Sequence, residues 1–378
     1  MRIAAAAVLS ALLLSGCSPE GGLFSADDYY LVNGSSVEEE SDVAESDTAE
    51  SAAEVPVPAE AERARIEIAA EPIDYGKEYK DIMQTVWVAY WDGHIGEALD
   101  MYGGVIENIC VFAASYDPDG KVFLPPELLT QLELIREKAA GHSWNIYLSV
   151  TNDIVASGWS SAKDVDLLHH LLDSPKNAKK HAATLAALAE ENGFDGLEID
   201  FEAIHGDIEL WKSFLVFEEA LIEETGKRSM PLRIVLEPAT PTELTFPEGP
   251  EYVMMCYDLH GFGTEPGAKA DRDFLTGLVQ DFASVPDLGF ALANGGYDWN
   301  VETGYVTTLS EQNVQKLLAE HEFHKERGDT SGALHGIYED EDKDKREVWF
   351  ADAQTLRLWY DCLSEAAGHP VRCSLWKL

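Results

Sequence analysis

The stretch Asp195-Gly196-Leu197-Glu198-Ile199-Asp200-Phe201-Glu202 concentrates carboxylates at a regular spacing. In an extended strand, side chains alternate between two faces. Glu198, Asp200 and Glu202 then share one face, and Leu197, Ile199 and Phe201 share the other. If the acidic face is buried, mutual repulsion and lost hydration raise the proton affinity of at least one carboxyl above the ordinary ~4.3 of a glutamate. A carboxyl that keeps its proton near neutral pH can serve as a general acid. Glu202 lies last in the row, nearest the strand end, and is the natural donor. An edge strand with a solvated acidic face would show the same alternation. Asp195 has the opposite parity and reads as turn or cap chemistry.

Such a row needs a rigid frame. From about residue 74 onward, short apolar runs alternate with amphipathic stretches, the pattern of a parallel α/β fold. Strands are expected at Thr85–Trp91, Ile106–Ala114, Trp144–Thr151, Asp195–Glu202, Met230–Glu237, Glu251–Asp258, Leu288–Gly295 and Val371–Lys377. Ser174-Pro175 reads as a helix N-cap with proline at the first helical position, and Gly193 as that helix's end. Ile208, Leu210, Trp211, Phe214, Leu215, Leu221 and Ile222 form a helical apolar stripe closed by Gly226. Pro238 to Pro250 is too short and proline-rich for a regular helix, so the fifth connection is expected to be irregular. Gly332 to Phe350 reads as a charged hairpin before the last helix. Eight strands over roughly 300 residues predict a TIM (β/α)8 barrel, whose chemistry sits at the C-terminal strand ends. The apolar face of the fourth strand would then meet the helices, and its acids would face the barrel interior.

The acidic strand resembles the DGxDxDxE signature of glycoside hydrolase family 18, the chitinase family. Met255-Cys256-Tyr257-Asp258-Leu259-His260-Gly261 is similar to that family's MxYD segment at strand six. Trp349-Phe350-Ala351-Asp352, the helix after it and Ser374-Leu375-Trp376-Lys377-Leu378 are similar to the family's ending, where a strand-eight tryptophan floors the sugar site. The resemblance spans residues 80–378, and the style is nearest the branch with spore-cortex peptidoglycan hydrolases, with no large inserted domain expected. It implies a retaining, substrate-assisted reaction, an exception to the two-carboxylate scheme. The 2-acetamido oxygen attacks the substrate's own anomeric carbon. Glu202 protonates the leaving oxygen and then activates water, Asp200 orients the acetamido group, and the Tyr257 hydroxyl holds its oxygen. Neither metal nor cofactor is implied. The family's middle aspartate is Glu198 here, which puts the pH profile and turnover in question. Glu198 and Asp258 are expected at the substrate. Trp376 is expected to floor the −1 site, because aromatic faces stack on the apolar side of a pyranose. Tyr90 on strand one and Trp299 just past strand seven are further sugar-stacking candidates, with core packing as the alternative for both.

Composition limits the partners. The chain has 69 Asp+Glu against 27 Lys+Arg in 378 residues, a formal net charge of −42, which disfavours nucleic acid and docking through a basic patch. A hydrophobic fraction of 46% supports a sizeable core, and five cysteines do not make a disulfide scaffold. A Cys256–Cys373 bridge is conceivable, and His169, His170 and His181 read as surface residues on helices. Arg2, the apolar run from Ile3 to Leu14 and the box Leu14-Ser15-Gly16-Cys17 resemble a bacterial lipoprotein signal peptide over residues 1–17, with Cys17 as the lipidated residue. Residues 18–73 read as an acidic disordered tether, with thirteen acids and no base between Ser18 and Glu62. The barrel would occupy residues 74–378. These features predict an extracytoplasmic monomer, lipid-anchored to a bacterial membrane and acting on a GlcNAc-containing glycan: chitin-like, peptidoglycan or an N-glycan core. A glycan-binding lipoprotein with weak or no turnover is the other class that fits.

Overall fold

A computed structural model describes residues 80–321 and 324–378. The leader, Cys17 and the tether lie outside the described residues. Eight parallel strands form the barrel: β1 (Thr85–Ala89), β2 (Asn108–Tyr116), β3 (Asn145–Ala156), β4 (Gly196–Asp200), β5 (Leu232–Leu236), β6 (Glu251–Met255), β7 (Leu288–Ala293) and β8 (Cys373–Trp376). Each pairs with the next in parallel, and β8 pairs with β1 to close the ring. The outward residues Leu197 and Ile199 of β4, and Phe201 just after it, are buried in the layer between strands and helices, as the alternation required. The inward layer contains Trp87, Cys110, Tyr147, Val235, Val253, Met255 and Ala291.

The helices are α1 (Ile95–Tyr102), α2 (Pro126–Lys138), α3 (Val165–Leu171), α4 (Pro175–Glu191), α5 (Ile208–Gly226), α6 (Arg272–Asp281), α7 (Glu311–Glu320) and α8 (Ala353–Ala367). Ser174 caps α4 through its hydroxyl, which accepts from the Asn177 N–H, and Gly193 follows the helix at φ 69°. No helix bridges β5 and β6, so the fifth connection is irregular as expected. Among the described residues, no helix is long and apolar enough to cross a membrane.

One expectation is corrected after β7. The charged hairpin exists as Leu334–Glu339 and Lys345–Ala351, but it supplies two strands of a five-stranded antiparallel sheet. The sheet also contains Gly295–Asn300, Val306–Leu309 and His324–Arg327. It is an inserted layer between β7 and α8, where none was expected. Glycines allow its close approach: a Cβ on Gly295 would lie 2.1 Å from the Leu309 carbonyl oxygen, and one on Gly296 2.0 Å from that of Trp349. The sheet is fastened to the barrel by Arg327, whose Nη2 lies 2.7 Å from Asp352 Oδ2, and by Trp359, whose Nε1 donates to the Ser331 carbonyl at 2.7 Å.

Histidine 181 is also corrected. It is buried rather than on the surface, its Nε2 2.8 Å from the Tyr116 hydroxyl and its ring stacked on Phe217. Burial lowers its pKa to about 4. The buried Tyr116 hydroxyl needs an acceptor, which the neutral ring supplies.

Candidate active site

The three acids of the fourth strand form a ladder inside the barrel with different surroundings. Glu198, lowest, is fully buried. Its Oε1 accepts from Trp87 Nε1 at 2.7 Å, and its Oε2 from Arg233 Nε at 2.9 Å and the Cys110 thiol at 3.2 Å. Arg233 continues the network to Glu251 at 2.6 Å and to the Ser374 hydroxyl at 3.0 Å. Glu198 is therefore a satisfied ion-pair partner beneath the site. The expectation that it contacts substrate is corrected, because these donors and full burial occupy it.

Asp200 stands one step higher. Burial raises its pKa well above the ordinary range, helped by the Glu202 and Glu198 carboxylates. Its buried Oδ1 has no hydrogen-bond partner. Glu202, at the rim, is 15% exposed, and its Oε2 lies 2.6 Å from Lys163 Nζ. Its backbone is held by Asn152 of β3: the Glu202 N–H donates to Asn152 Oδ1 at 2.9 Å, and Asn152 Nδ2 donates to the Glu202 carbonyl at 3.0 Å. Asp153 accepts from the Lys163 N–H at 2.7 Å and from the Thr151 hydroxyl at 2.7 Å. Burial pushes Asp153 up to about 7, with the Lys163 N–H opposing and Glu202 assisting. Just past β5, Glu237 accepts the Ala203 N–H at 2.6 Å. Burial and Glu202 push Glu237 up to about 7 against Lys163.

A cavity of about 350 Å3 has a lining that includes Tyr257, Asp258, Trp376, Trp91, Lys269 and Tyr297. Tyr257 and Trp376 pack on the same inward layer as Trp87 and Phe112, and the Trp376 ring centroid is 4.9 Å from that of Phe112. Asp258 is exposed at φ 67° and accepts from the Tyr297 hydroxyl at 2.6 Å. Lys269 donates to the Asn294 carbonyl at 2.9 Å and lies 5.0 Å from the Tyr297 ring centroid. Burial lowers it to about 8, against the pull of Asp258. A larger hollow of about 810 Å3 lies outside the barrel, along α4 and the Asp119–Val122 loop; none of the strand-four acids lines either cavity.

Two aromatic expectations are corrected. Tyr90 packs toward the helix-side core, whereas Trp91 lines the cavity. The reason is parity: Trp87 faces inward, so Trp91 continues its face and Tyr90 does not. Trp299 is buried in the inserted sheet with Tyr297 and Val306. Of these, Tyr297 reaches the cavity. Asn152, Lys163, Arg233 and Glu237 complete the constellation. Glu237, which the sequence already offers as a cleft-facing sugar contact at the end of strand five, shares an inward parity with Arg233 and Val235; Asn152 and Lys163 had no sequence signal, since their partners lie 39 to 50 residues away. Cys110, Cys256, Cys362 and Cys373 are free thiols, so the Cys256–Cys373 bridge is absent.

The acids of strand four and the aromatic cavity stand on a (β/α)8 barrel. Comparison with known structures bears out the barrel fold that the family 18 resemblance implies. The spore cortex-lytic enzyme SleL of Bacillus megaterium matches with a TM-score of 0.65 at 17% identity, over 78% of this chain and 70% of that one. A chitinase from Chromobacterium violaceum matches at 0.65 and 21% identity, over 78% and 94%. A class V chitinase from Nicotiana tobaccum, determined in complex with NAG4, matches at 0.62 and 15%, over 78% and 94%. In sequence, the chain is 25% identical over 218 residues to an uncharacterized glycosylase, YvbX, of Bacillus subtilis, covering 51% of this chain. That match spans 60% of the relative's length. No family model matches the chain.

Proposed function

We propose that the chain is a glycoside hydrolase that cleaves β-1,4 linkages after N-acetylglucosamine-type sugars with retention, using the substrate's own acetamido group. The observation that carries this reading is the vertical order of strand four: a neutralised Glu198 below, a partnerless Asp200 oxygen in the middle, and a partly exposed Glu202 at the rim. Glu202 delivers a proton to the glycosidic oxygen while the acetamido oxygen closes onto the anomeric carbon. Water then attacks that carbon and returns a proton to Glu202. Asp200 accepts the acetamido N–H and offsets the positive charge of the intermediate. Tyr257 steadies the acetamido oxygen, and Trp376 stacks beneath the ring. Holding the nucleophile within the substrate in line supplies much of the rate.

The chitinase and cortex-lytic neighbours support a GlcNAc-containing substrate. We further propose the extracytoplasmic placement, with Cys17 carrying the lipid; labelling with a fatty-acid probe, lost in Cys17→Ala, tests it. For the reaction, the barrel is incubated with chitooligosaccharides, peptidoglycan and a high-mannose glycoprotein beside Glu202→Gln. Cleavage of one substrate, reduced at least ~100-fold in the variant, is expected. Intact glycans throughout, together with measurable binding, would replace the hydrolase reading with that of a glycan-binding barrel.

A further inference from the structure

We propose that Asn294 is the positioning residue of the sugar floor: its side-chain amide clamps the end of strand eight and thereby fixes the plane of the Trp376 indole under the substrate. This rests on the reading of Trp376 as the floor of the −1 site. The clamp sits where two barrel strands end together. β7 and β8 pair in register from Phe290 opposite Cys373 to Ala293 opposite Trp376. One further backbone bond follows, from the Asn294 N–H to the Trp376 carbonyl at 2.9 Å. The chain then turns away at Gly295, φ 63°, into the inserted sheet. Beyond that point β7 has no backbone to offer Lys377.

The Asn294 side chain takes the place of the missing backbone. Its Oδ1 accepts from the Lys377 N–H at 3.2 Å, and its Nδ2 donates to the Lys377 carbonyl at 2.8 Å. A carboxamide supplies both roles, whereas a carboxylate offers acceptors alone and an aliphatic side chain neither. The clamp is itself held from the loop after β6, because Lys269 Nζ donates to the Asn294 carbonyl at 2.9 Å. On the other side, Lys377 Nζ lies 2.9 Å from Asp92 Oδ2, and the Leu378 N–H donates to the Trp87 carbonyl at 3.1 Å. Lys377 is therefore tied to β7 through its backbone and to the loop after β1 through its side chain.

The ring contacts of Trp376 are of another kind. Phe112 meets it edge-on, with centroids 4.9 Å apart and planes at 73°, and Trp87 does so at 6.2 Å and 63°. Edge contacts between aromatic rings tolerate sliding over a broad range of separations, whereas two opposed hydrogen bonds on the adjoining residue set position and tilt together. Stacking on a pyranose needs the indole face presented at one tilt. Trp376, Lys377 and Asn294 all line the cavity of about 350 Å3, so a loosened clamp is felt where a sugar would lie.

The test is a double-variant cycle in the full chain carrying Glu202→Gln, which stops turnover. Asn294→Ala, Asn294→Asp, Trp376→Ala and Asn294→Ala with Trp376→Ala are compared, and circular dichroism verifies folding. Calorimetric titration with chitotetraose should find binding weakened at least ~10-fold by Trp376→Ala and about 5- to 10-fold by Asn294→Ala. Asn294→Asp, which keeps the acceptor and loses the donor, should fall between wild type and Asn294→Ala. The double variant should bind within about twofold of Trp376→Ala alone, because the clamp acts only through the ring. Protein carrying 5-fluorotryptophan gives a second readout: the 19F signal of Trp376, identified by its loss in Trp376→Ala, should broaden or split in Asn294→Ala. Losses that add in the double variant, affinity kept in both Asn294 variants while Trp376→Ala loses it, or an unaltered Trp376 signal each overturn the proposal alone. Affinity unchanged by Trp376→Ala removes the sugar floor, and the proposal with it. A protein that does not bind chitotetraose removes the reading of a GlcNAc-chain site, while the 19F spectra still decide whether Asn294 holds the ring.

Discussion

Glu218 shows how burial sets chemistry one residue at a time. It sits on α5 with its side chain fully buried, bonded to the Tyr252 hydroxyl, and its Oε2 has no partner. Burial pushes its carboxyl up to about 8, against the Tyr252 bond. A protonated Glu218 can donate to Tyr252, which in turn donates to the Pro247 carbonyl at 2.8 Å. The folded pKa exceeds the unfolded ~4.3, so this contribution to stability is complete below ~4.3 and is lost as pH rises through about 8. Glu218→Gln imitates the protonated form at every pH. Urea unfolding at pH 8 should find the variant more stable than wild type by about 1–3 kcal/mol, with a smaller difference at pH 5. Equal stability at both pH values would mean that Glu218 ionises without cost. The site acids obey the same rule: burial also holds Asp200 and Glu237 toward the neutral form.

At the scale of elements, β3 positions the acid that β4 presents. Asn152 accepts from and donates to the Glu202 backbone, a two-point grip from a neighbouring strand. Asn152→Ala releases it while leaving the parallel pairing of Tyr147 through Thr151 with β4 intact. A misplacement of about 1 Å can cost ~100-fold, so kcat should fall roughly 10- to 100-fold with KM changed less than about threefold. Steady-state kinetics on the cleaved glycan would show it; an equal rise in KM would assign Asn152 to substrate binding. Lower in the same pair, Gly196 accommodates the Tyr147 ring, and an added Cβ would lie 2.3 Å from it. Gly196→Ala should destabilise the barrel by about 1–3 kcal/mol in a urea titration, through overpacking. The barrel strands and acid ladder were legible because alternation and strand length are local properties of sequence. The inserted sheet was not. Its order runs Val306–Leu309, Gly295–Asn300, Lys345–Ala351, Leu334–Glu339, His324–Arg327, so its central pairing joins segments some fifty residues apart. Tyr90 and Trp91 are adjacent aromatics at the end of strand one, and parity with the inward Trp87 separates them.

Across the whole molecule, the barrel is tied through its centre by one cation. Arg233 projects from β5 to Glu198 on β4, Glu251 on β6 and Ser374 on β8, and its guanidinium lies 5.8 Å from the Trp87 and Tyr147 ring centroids. This explains the glutamate at the position where the family resemblance has aspartate. A side chain one methylene shorter would retreat from Arg233, Trp87 and Cys110 together. It also gives the strongest stability prediction. Arg233→Met leaves Glu198 as a buried carboxylate without its cation, and breaking such a pair costs about 3–5 kcal/mol. Glu198→Gln with Arg233→Met removes both charges. That double variant should recover a large part of the loss, because a neutral amide can still accept from Trp87 and be buried at smaller cost. The urea midpoints of wild type, both single variants and the double variant form a closed cycle. The coupling between Arg233 and Glu198 should be at least ~2 kcal/mol. A double variant no more stable than Arg233→Met would show that the cation serves β6 and β8 rather than the floor of the acid ladder, and Glu198 would then lose its role as the fixed base on which Asp200 and Glu202 are stacked.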